Sequence, residues 1–561
     1  MNISSQPSKV SPKALSPQKS APSAKQPESG SPAPADSFEV SQNQGQEMTR
    51  TLIPNSFIAV VPKESMGMPG LESVDTPDTK VLGEAGNSVF VQVDGEAMQG
   101  MHTLQDSGVQ FVPNYQYEGA IYDEPVQVNT LAEEAPDTKT ESGYPRHLEV
   151  MGAEAAWEIS SGSADQVSAV TDTGLSRNHP ELEESLWKNP NEIPGNNIDD
   201  DNNGYVDDVV GWDITDNDSE PSNEGSTHHT HVHGIMHAKN DGSGVTGVAP
   251  DSKTMALRIA GGRRRYSSAT VVESYLYAMN NGAKTINTSF NINHFVGDKA
   301  IESTYRTLAD NDVLLFNSAG NASQLNPRRS AFEDIVLVAS TNTGSSDTDQ
   351  RSRSFSNYGS GIDIAAPGKD VLATLPNGRT GKMSGTSMAS PNAAGVDMLV
   401  RSANPTWNRA QRWAQMVGTA DNIDAQNPGE ENLLGAGRVN AERALTEKVG
   451  HPTLQASVAK NSQGSAKEVK VRFNEVIDPA TSNIPEAFTV LDSDGEVAMQ
   501  GTPKEIRLMT NEVKFNVSSL PAGSYTFVAS AEHLADPFGQ ALDGNGDGKG
   551  GDNMELAFKV S

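Results

Sequence analysis

The chain of 561 residues contains no cysteine. That absence excludes disulfide frameworks, cysteine-ligated zinc, iron–sulfur clusters and cysteine nucleophiles. Positive charge is scarce: 42 Lys and Arg stand against 73 Asp and Glu, a formal net charge of −31. Such a surface repels nucleic-acid phosphates and anionic lipid headgroups, so neither nucleic acid nor a membrane is an expected partner. Cations, including metal ions, are attracted. Long apolar runs are missing as well. The longest stretches, such as Val313–Phe316 and Ile335–Ala339, are strand-sized, whereas a bilayer span needs roughly 18 residues. The first 30 residues hold Lys9 and Lys13 with no apolar region after them, so no standard secretory signal is visible.

What is present falls into blocks. Residues 1–48 are Pro/Ser-rich, with proline every five residues from Pro7 to Pro32, and read as a disordered tail. Residues 49–117 read as a small α+β unit, with strands at Ser56–Val61, Ser88–Val93 and Gly108–Tyr117 and a short helix over Gly95–Leu104. Residues 118–145 are acidic and contain proline, a linker. From 146 to 450, apolar strands alternate with helical periodicity. The strands are Gln166–Asp172, Lys253–Ile259, Lys284–Phe290, Val313–Gly320, Asp334–Ser340 and Ile362–Pro367. Between them, Val271, Val272, Tyr275, Leu276 and Met279, then Ile301, Tyr305 and Leu308, mark helix faces. That alternation predicts an α/β fold, a parallel sheet with helices on both faces and ligand sites at the strands' carboxyl ends. From 452 to 561 the period becomes two, as in Val469/Val471/Phe473, which predicts an Ig-like β-sandwich.

Three segments carry chemistry. Gly385-Thr386-Ser387-Met388-Ala389-Ser390-Pro391 places a serine between small residues at the start of an apolar stretch, near a helix N-terminus, with Pro391 expected in the first turn. Asp172 ends a strand in Thr171-Asp172-Thr173-Gly174. His228 opens the run Thr227-His228-His229-Thr230-His231-Val232-His233-Gly234. The order Asp, His, Ser is one of the known chain orders of the catalytic triad.

With these motifs, residues 146–450 resemble a subtilisin-like serine protease, a subtilase. The Ser387 segment matches the family's G-T-S-M-A-x-P, the Asp172 segment resembles V-x-D-T-G and the His228 segment resembles H-G-T-H-V-x-G. Gly247-Val248-Ala249-Pro250, Ser354-Phe355-Ser356-Asn357-Tyr358-Gly359 and Ala365-Ala366-Pro367-Gly368 also fit. The resemblance implies a three-layer subtilisin-like fold and a serine endopeptidase working through an acyl-enzyme. It makes Ser387 the nucleophile, His228 the general base and Asp172 its orienting carboxylate, with Asn321 an oxyanion-hole donor. Ser289, Phe290 and Asn291, with Ser318, Ala319 and Gly320, would line the primary specificity pocket. It implies that 49–117 is an inhibitor-type propeptide, so that the enzyme is made as a zymogen, acts on proteins or peptides, is inhibited by its own propeptide and is a monomer. It implies secretion or a cell-surface location; with no signal visible, the alternative is cytoplasmic. The chain departs from the pattern at Thr171, His229, His233 and Asn392. His229, in place of a glycine, is expected to crowd the base or alter its pKa.

A second motif is Asp199-Asp200-Asp201-Asn202-Asn203-Gly204-Tyr205, closed by Asp207-Asp208. Oxygen donors at alternate positions with a sixth glycine resemble the first half of a calcium loop. Asp199, Asp201, Asn203, the Tyr205 carbonyl and Asp208 are the candidate ligands of a structural Ca²⁺. Asp543–Gly548 is a weaker copy. Two rival readings stay open. One is a binding protein of the same fold, its site spoiled by His229. The other is a metal-dependent hydrolase using His229, His233 and His237 at helical spacing, although the Glu that a zinc helix places beside its first ligand is absent.

Overall fold

The computed structural model describes residues 49–65, 79–95, 109–118, 127–130, 143–260, 265–502, 504–510 and 512–561. The expected tail and nearly all of the expected helix over Gly95–Leu104 lie outside the described residues.

Residues 49–118 contribute β1 (Thr49–Pro62), β2 (Thr79–Ala85), β3 (Ser88–Asp94) and β4 (Gln110–Glu118), antiparallel in the order β2-β3-β1-β4. Both faces of this sheet are buried. Ala59, Val61, Val89, Val91 and Val93 close a small core of their own. Ile58, Leu82, Phe90 and Tyr117 join the large core of the next domain. The sequence reading missed β2, which buries only Leu82 and Ala85 and so carries a weak apolar signal. Its Gly83, at φ 148°, lies where a Cβ would stand 2.6 Å from the Cβ of Leu276. Glycine thus lets this strand rest directly on the helix beneath.

The expected linker is not without structure: it supplies β5 (Gln127–Thr130). After two short helices, α1 (Arg146–Val150) and α2 (Ala153–Trp157), come β6 (Val167–Asp172), β7 (Gly211–Asp213), β8 (Lys253–Arg258), the short β9 (Arg265–Ser267), β10 (Thr285–Thr288), β11 (Leu314–Ser318), β12 (Val336–Thr341), β13 (Ile364–Pro367), β14 (Val371–Leu375) and β15 (Arg379–Ser384). Seven of them form one parallel sheet in the order β13-β12-β11-β10-β6-β8-β7. Six of these strands lie where the sequence placed them. The three-residue β7 is too short to show a period. β9 pairs with β4, and β5 pairs with β15 of the β14–β15 hairpin.

Helix α3 (Thr227–His237) covers one face of the sheet. On the other face lie α4 (Ser268–Asn280) and α5 (Lys299–Asp310), which bury the apolar positions named above. Helix α6 (Thr386–Ala403) shares the α3 side, where Val232, Ile235 and Met236 pack with Met388, Ala389 and Ala393. The result is three layers. Strand β6 sits between β8 and β10, which lie on opposite sides of it, so its carboxyl end is the switch point of the sheet. The C-terminal region forms two antiparallel sheets, of three and four strands, around Val469, Val471, Phe473, Phe488, Phe515 and Phe527.

Candidate active site

Asp172 is the last residue of β6 and is fully buried. Its Oδ1 accepts from the backbone N–H of Thr173 (2.7 Å) and from the Thr173 hydroxyl (3.0 Å). Its Oδ2 lies 2.8 Å from Nδ1 of His228, the second residue of α3. An ionised carboxylate only accepts, so Nδ1 carries the proton and Nε2 is the basic nitrogen. The Thr173 hydroxyl also meets Ser226, the residue before α3, at 2.9 Å. This contact ties the strand end to the helix start.

Ser387 is the second residue of α6 and donates its hydroxyl to the Ser289 carbonyl at 3.0 Å. Ser289 Oγ in return donates to the Ser387 carbonyl at 2.9 Å. Pro391 explains why that carbonyl is available. It was expected in the first turn of the helix, but it is the sixth residue of α6. Lacking an N–H, it leaves the carbonyl four residues earlier without its helical partner. Ser289 takes the place of that partner.

Asn321 follows β11. Its Oδ1 accepts from the Thr386 N–H (2.9 Å) and hydroxyl (2.7 Å), and the Thr386 hydroxyl accepts from the Gly320 N–H at 3.0 Å. With Oδ1 pinned from one side, the Nδ2 donors of Asn321 face the other way. Thr386 therefore positions the amide, a role the sequence reading did not assign. Its only signal was its place inside the serine motif.

A model of the subtilase family matches residues 164–437. Thermitase of Thermoactinomyces vulgaris is 33% identical over 295 residues, 52% of this chain and 92% of that protein. M-protease of Shouchella clausii is 30% identical over 321 residues, 56% of this chain and 74% of that protein. Subtilisin BL of Lederbergia lenta is 34% identical over 229 residues, 40% and 80% of the two chains. The chain belongs to the subtilase family. It is a serine endopeptidase, and peptides are its substrates.

In this subtilase the segments expected to line the specificity pocket leave neighbouring strands. Ser289–Asn291 follows β10, and Ser318–Gly320 spans the end of β11. Phe290 and Ala319 are buried in the core. His229 does not crowd the base from the cleft side, because its ring is wholly buried, with neither nitrogen hydrogen-bonded. Burial holds its pKa down to about 4. His231 reaches the Gly381 carbonyl at 3.1 Å, and burial holds it down to about 3. His233 meets Ser185 Oγ at 3.0 Å and is likewise pushed down by burial. His237 lies 2.8 Å from the Ala249 carbonyl and 2.9 Å from Ser168 Oγ, and burial lowers it to about 4. The hydrogen-bonded rings meet different neighbours, His231 the β14–β15 hairpin, His233 the turn at Ser185 and His237 strand β6, and they do not converge. Among the described residues, three or more candidate metal-ligating side chains come together only at Glu192/Asp201/Asp208 and at Asp543/Asp547/Asp552. The structure thus contradicts the metal-hydrolase reading of the histidine run.

The first of those clusters lies in the expected calcium loop but includes Glu192, which sequence spacing did not suggest because it precedes the motif. Asp208 is fully buried, and burial raises its pKa to about 6. Asp199 stands outside the three; its carboxylate takes the N–H groups of Asn203 (3.0 Å) and Gly204 (2.8 Å). Asn203 donates from Nδ2 to Asp208 Oδ2 at 3.1 Å, and its own Oδ1 accepts the Tyr205 N–H at 2.8 Å. The Tyr205 ring packs edge-on against Trp212 and Tyr277. In the second cluster the Asp543 carboxylate receives the N–H groups of Gly546, Asp547 and Gly548.

Proposed function

We propose that Asp172, His228 and Ser387 carry out the peptide-bond hydrolysis of this subtilase. The observation behind this is the 2.8 Å contact from Asp172 to His228 Nδ1 at the switch point of the sheet. Ser387 turns its hydroxyl from the Ser289 carbonyl to Nε2 of His228, gives up its proton and attacks the substrate carbonyl. The imidazolium, stabilised by Asp172, then protonates the leaving amine, and a water molecule deacylates the enzyme by the reverse transfers. The Asn321 amide and the Ser387 N–H stabilise the oxyanion. Such a side-chain donor contributes about 10²–10³ in kcat.

The Glu192, Asp201 and Asp208 carboxylates suit a hard divalent cation, since all offer oxygen and two of them are buried. Calcium bound there would have a structural role, offsetting the repulsion between the three charges and taking part in no step. Residues 49–117 act as an inhibitory propeptide of a zymogen, and the mature protein works outside the cell as a monomer. Among the described residues no helix is long and apolar enough to cross a membrane.

A fluorophosphonate probe tests the triad. It should label Ser387, and His228→Ala should abolish labelling. A folded wild-type protein that is never labelled would instead favour the spoiled-site binding protein.

A further inference from the structure

We infer that Asn287 and Ser390 are positioning residues for the nucleophile, acting on Ser387 through the hydroxyl of Ser289. The inference deepens the proposed function and rests on its assignment of Ser387 as the attacking group.

Asn287 lies in β10, and Ser390 is the fifth residue of α6. Both are fully buried, as are Ser289 and Ser387. Their side chains form a directed chain of hydrogen bonds. Ser390 Oγ donates to Asn287 Oδ1 at 2.7 Å, Asn287 Nδ2 donates to Ser289 Oγ at 3.0 Å, and Ser289 Oγ donates to the Ser387 carbonyl at 2.9 Å. The chain begins and ends on α6, three residues apart, and its middle is held by the sheet. Each link sets the direction of the next. A hydroxyl has one proton to give, and an amide has one accepting end and one donating end. With Oδ1 of Asn287 taken by Ser390, Nδ2 is turned to Ser289. With Nδ2 donating into Ser289 Oγ, the Ser289 proton is left to point at the Ser387 carbonyl. A serine within a helix commonly donates to a carbonyl three or four residues back. Ser390 reaches across to the sheet instead, and so fixes the amide.

Pro391 creates the need for this chain, because it deprives the Ser387 carbonyl of its helical donor. The reaction adds a second demand. The Ser387 hydroxyl rests on the Ser289 carbonyl at 3.0 Å and must turn away from it to reach His228. While it turns, the Ser289 hydroxyl keeps the Ser387 carbonyl in place. That holds the Cα–Cβ bond from which the nucleophile hangs and the N–H that faces the oxyanion. A misplacement of about 1 Å at a reacting group costs on the order of 10² in rate. Losing the anchor should therefore slow attack and spare substrate binding, since neither Asn287 nor Ser390 belongs to the two pocket segments.

The test uses the full chain after whatever shortening it performs, with a fluorophosphonate to count competent sites and a peptide anilide as substrate. Asn287→Ala and Ser289→Ala should each lower kcat per labelled site by about 10–100-fold. The variant carrying both changes should lose no more than Ser289→Ala alone, because Asn287 acts through that hydroxyl. Asn287→Ala should leave KM within about twofold of the wild type, as expected of an interaction needed only for attack. Ser390→Ala removes a single oxygen and should lower kcat roughly 3-fold, but should change nothing further when Asn287 is already alanine. Losses that multiply in the double variants overturn the inference. So does a kcat per labelled site that stays at the wild-type level while the melting temperature falls, the mark of a merely structural chain. If Asn287→Ala yields no labelled protein, Ser390→Ala decides alone, and an unchanged kcat per labelled site overturns the inference. Labelled wild type with unaffected variants defeats this inference and leaves the protease mechanism standing. Unlabelled wild type defeats the assignment of Ser387, and the inference with it.

Discussion

The N-terminal sheet and the C-terminal sandwich both dock on the catalytic domain, by different means. The N-terminal sheet continues through main-chain pairing of β4 with β9, and it supplies partners to groups that are otherwise buried. Lys80 meets Glu273, which is 2% exposed, at 2.8 Å. The Tyr117 hydroxyl donates to Asp298, the N-cap of α5, at 2.6 Å, and its ring stacks on Tyr266 and meets Phe295 edge-on. Asn114 accepts from the Ala269 N–H in the first turn of α4. The C-terminal sandwich instead joins an apolar patch of Val476, Leu508 and Met509 to the catalytic core, with Trp407 edge-on to Phe538 at 5.0 Å. A rim of solvent-exposed pairs such as Lys504–Glu333 and Arg306–Glu505 surrounds it. Strand addition and specific hydrogen bonds are how a peptide ligand binds an edge. Apolar burial with a weak ionic rim is how a permanent neighbour stays. The contrast fits one attachment made to be cut and another made to last.

The largest effect that can break this contrast comes from Ser387→Ala. Turnover on casein should fall by roughly 10⁶, and the chain should stay full length on a gel where the wild type shortens between about Tyr117 and Tyr144. A Ser387→Ala protein that shortens equally fast in pure form would show that the N-terminal attachment is not cut by its own site.

Acid should separate the regions next. Among the described residues, the buried histidines all belong to the catalytic domain. Burial holds His229 and His237 down to about 4, and His147 and His231 down to about 3. The unfolded chain binds these protons near pH 6.5 and the native chain does not. Stability is therefore full above 6.5 and declines as pH falls toward 4, by roughly 1.4 kcal/mol per pH unit for each histidine. Calorimetry of Ser387→Ala at pH 7.5, 6.5 and 5.5 should move the catalytic transition down by several degrees. A transition that stays in place would mean that these imidazoles are not held neutral.

Calcium comes third and should act on the N-terminal side. Glu273 accepts from the Tyr205 hydroxyl at 3.4 Å, the Tyr205 ring packs on Tyr277, and the Tyr277 hydroxyl donates to Asp208 at 2.6 Å. The acidic loop is thus connected to the Lys80 contact. Saturating calcium should raise the melting temperature by about 2–4 °C, and Asp201→Asn with Asp208→Asn should remove that rise. An unchanged response in the double variant would reduce the loop to acidic surface.

The smallest effects compare the two interfaces directly. Lys80→Met leaves Glu273 without its ammonium partner and should weaken inhibition by added residues 49–117 about 10-fold, a figure reduced for the partial exposure of Lys80. Lys504→Ala removes a pair exposed on both sides and should shift stability by no more than about 0.5 kcal/mol. Equal effects at the two sites would erase the distinction.

The sequence by itself determined the parallel sheet, because six apolar strands alternate with helix faces of clear period. It also pointed to the candidate triad and Asn321 through the family resemblance, because the motifs that carry that resemblance are local. Only the tertiary structure decided the rest. Glu192 enters the acidic cluster from a separate loop, so no spacing reveals it. β5 pairs with β15, some 250 residues away, through backbone hydrogen bonds that leave no pattern in side chains. The histidine run shows the limit most plainly. At helical spacing it looked like a ligand set, but whether a ring meets a metal, a carbonyl or packed side chains depends on what the sheet and neighbouring loops bring against that helix face.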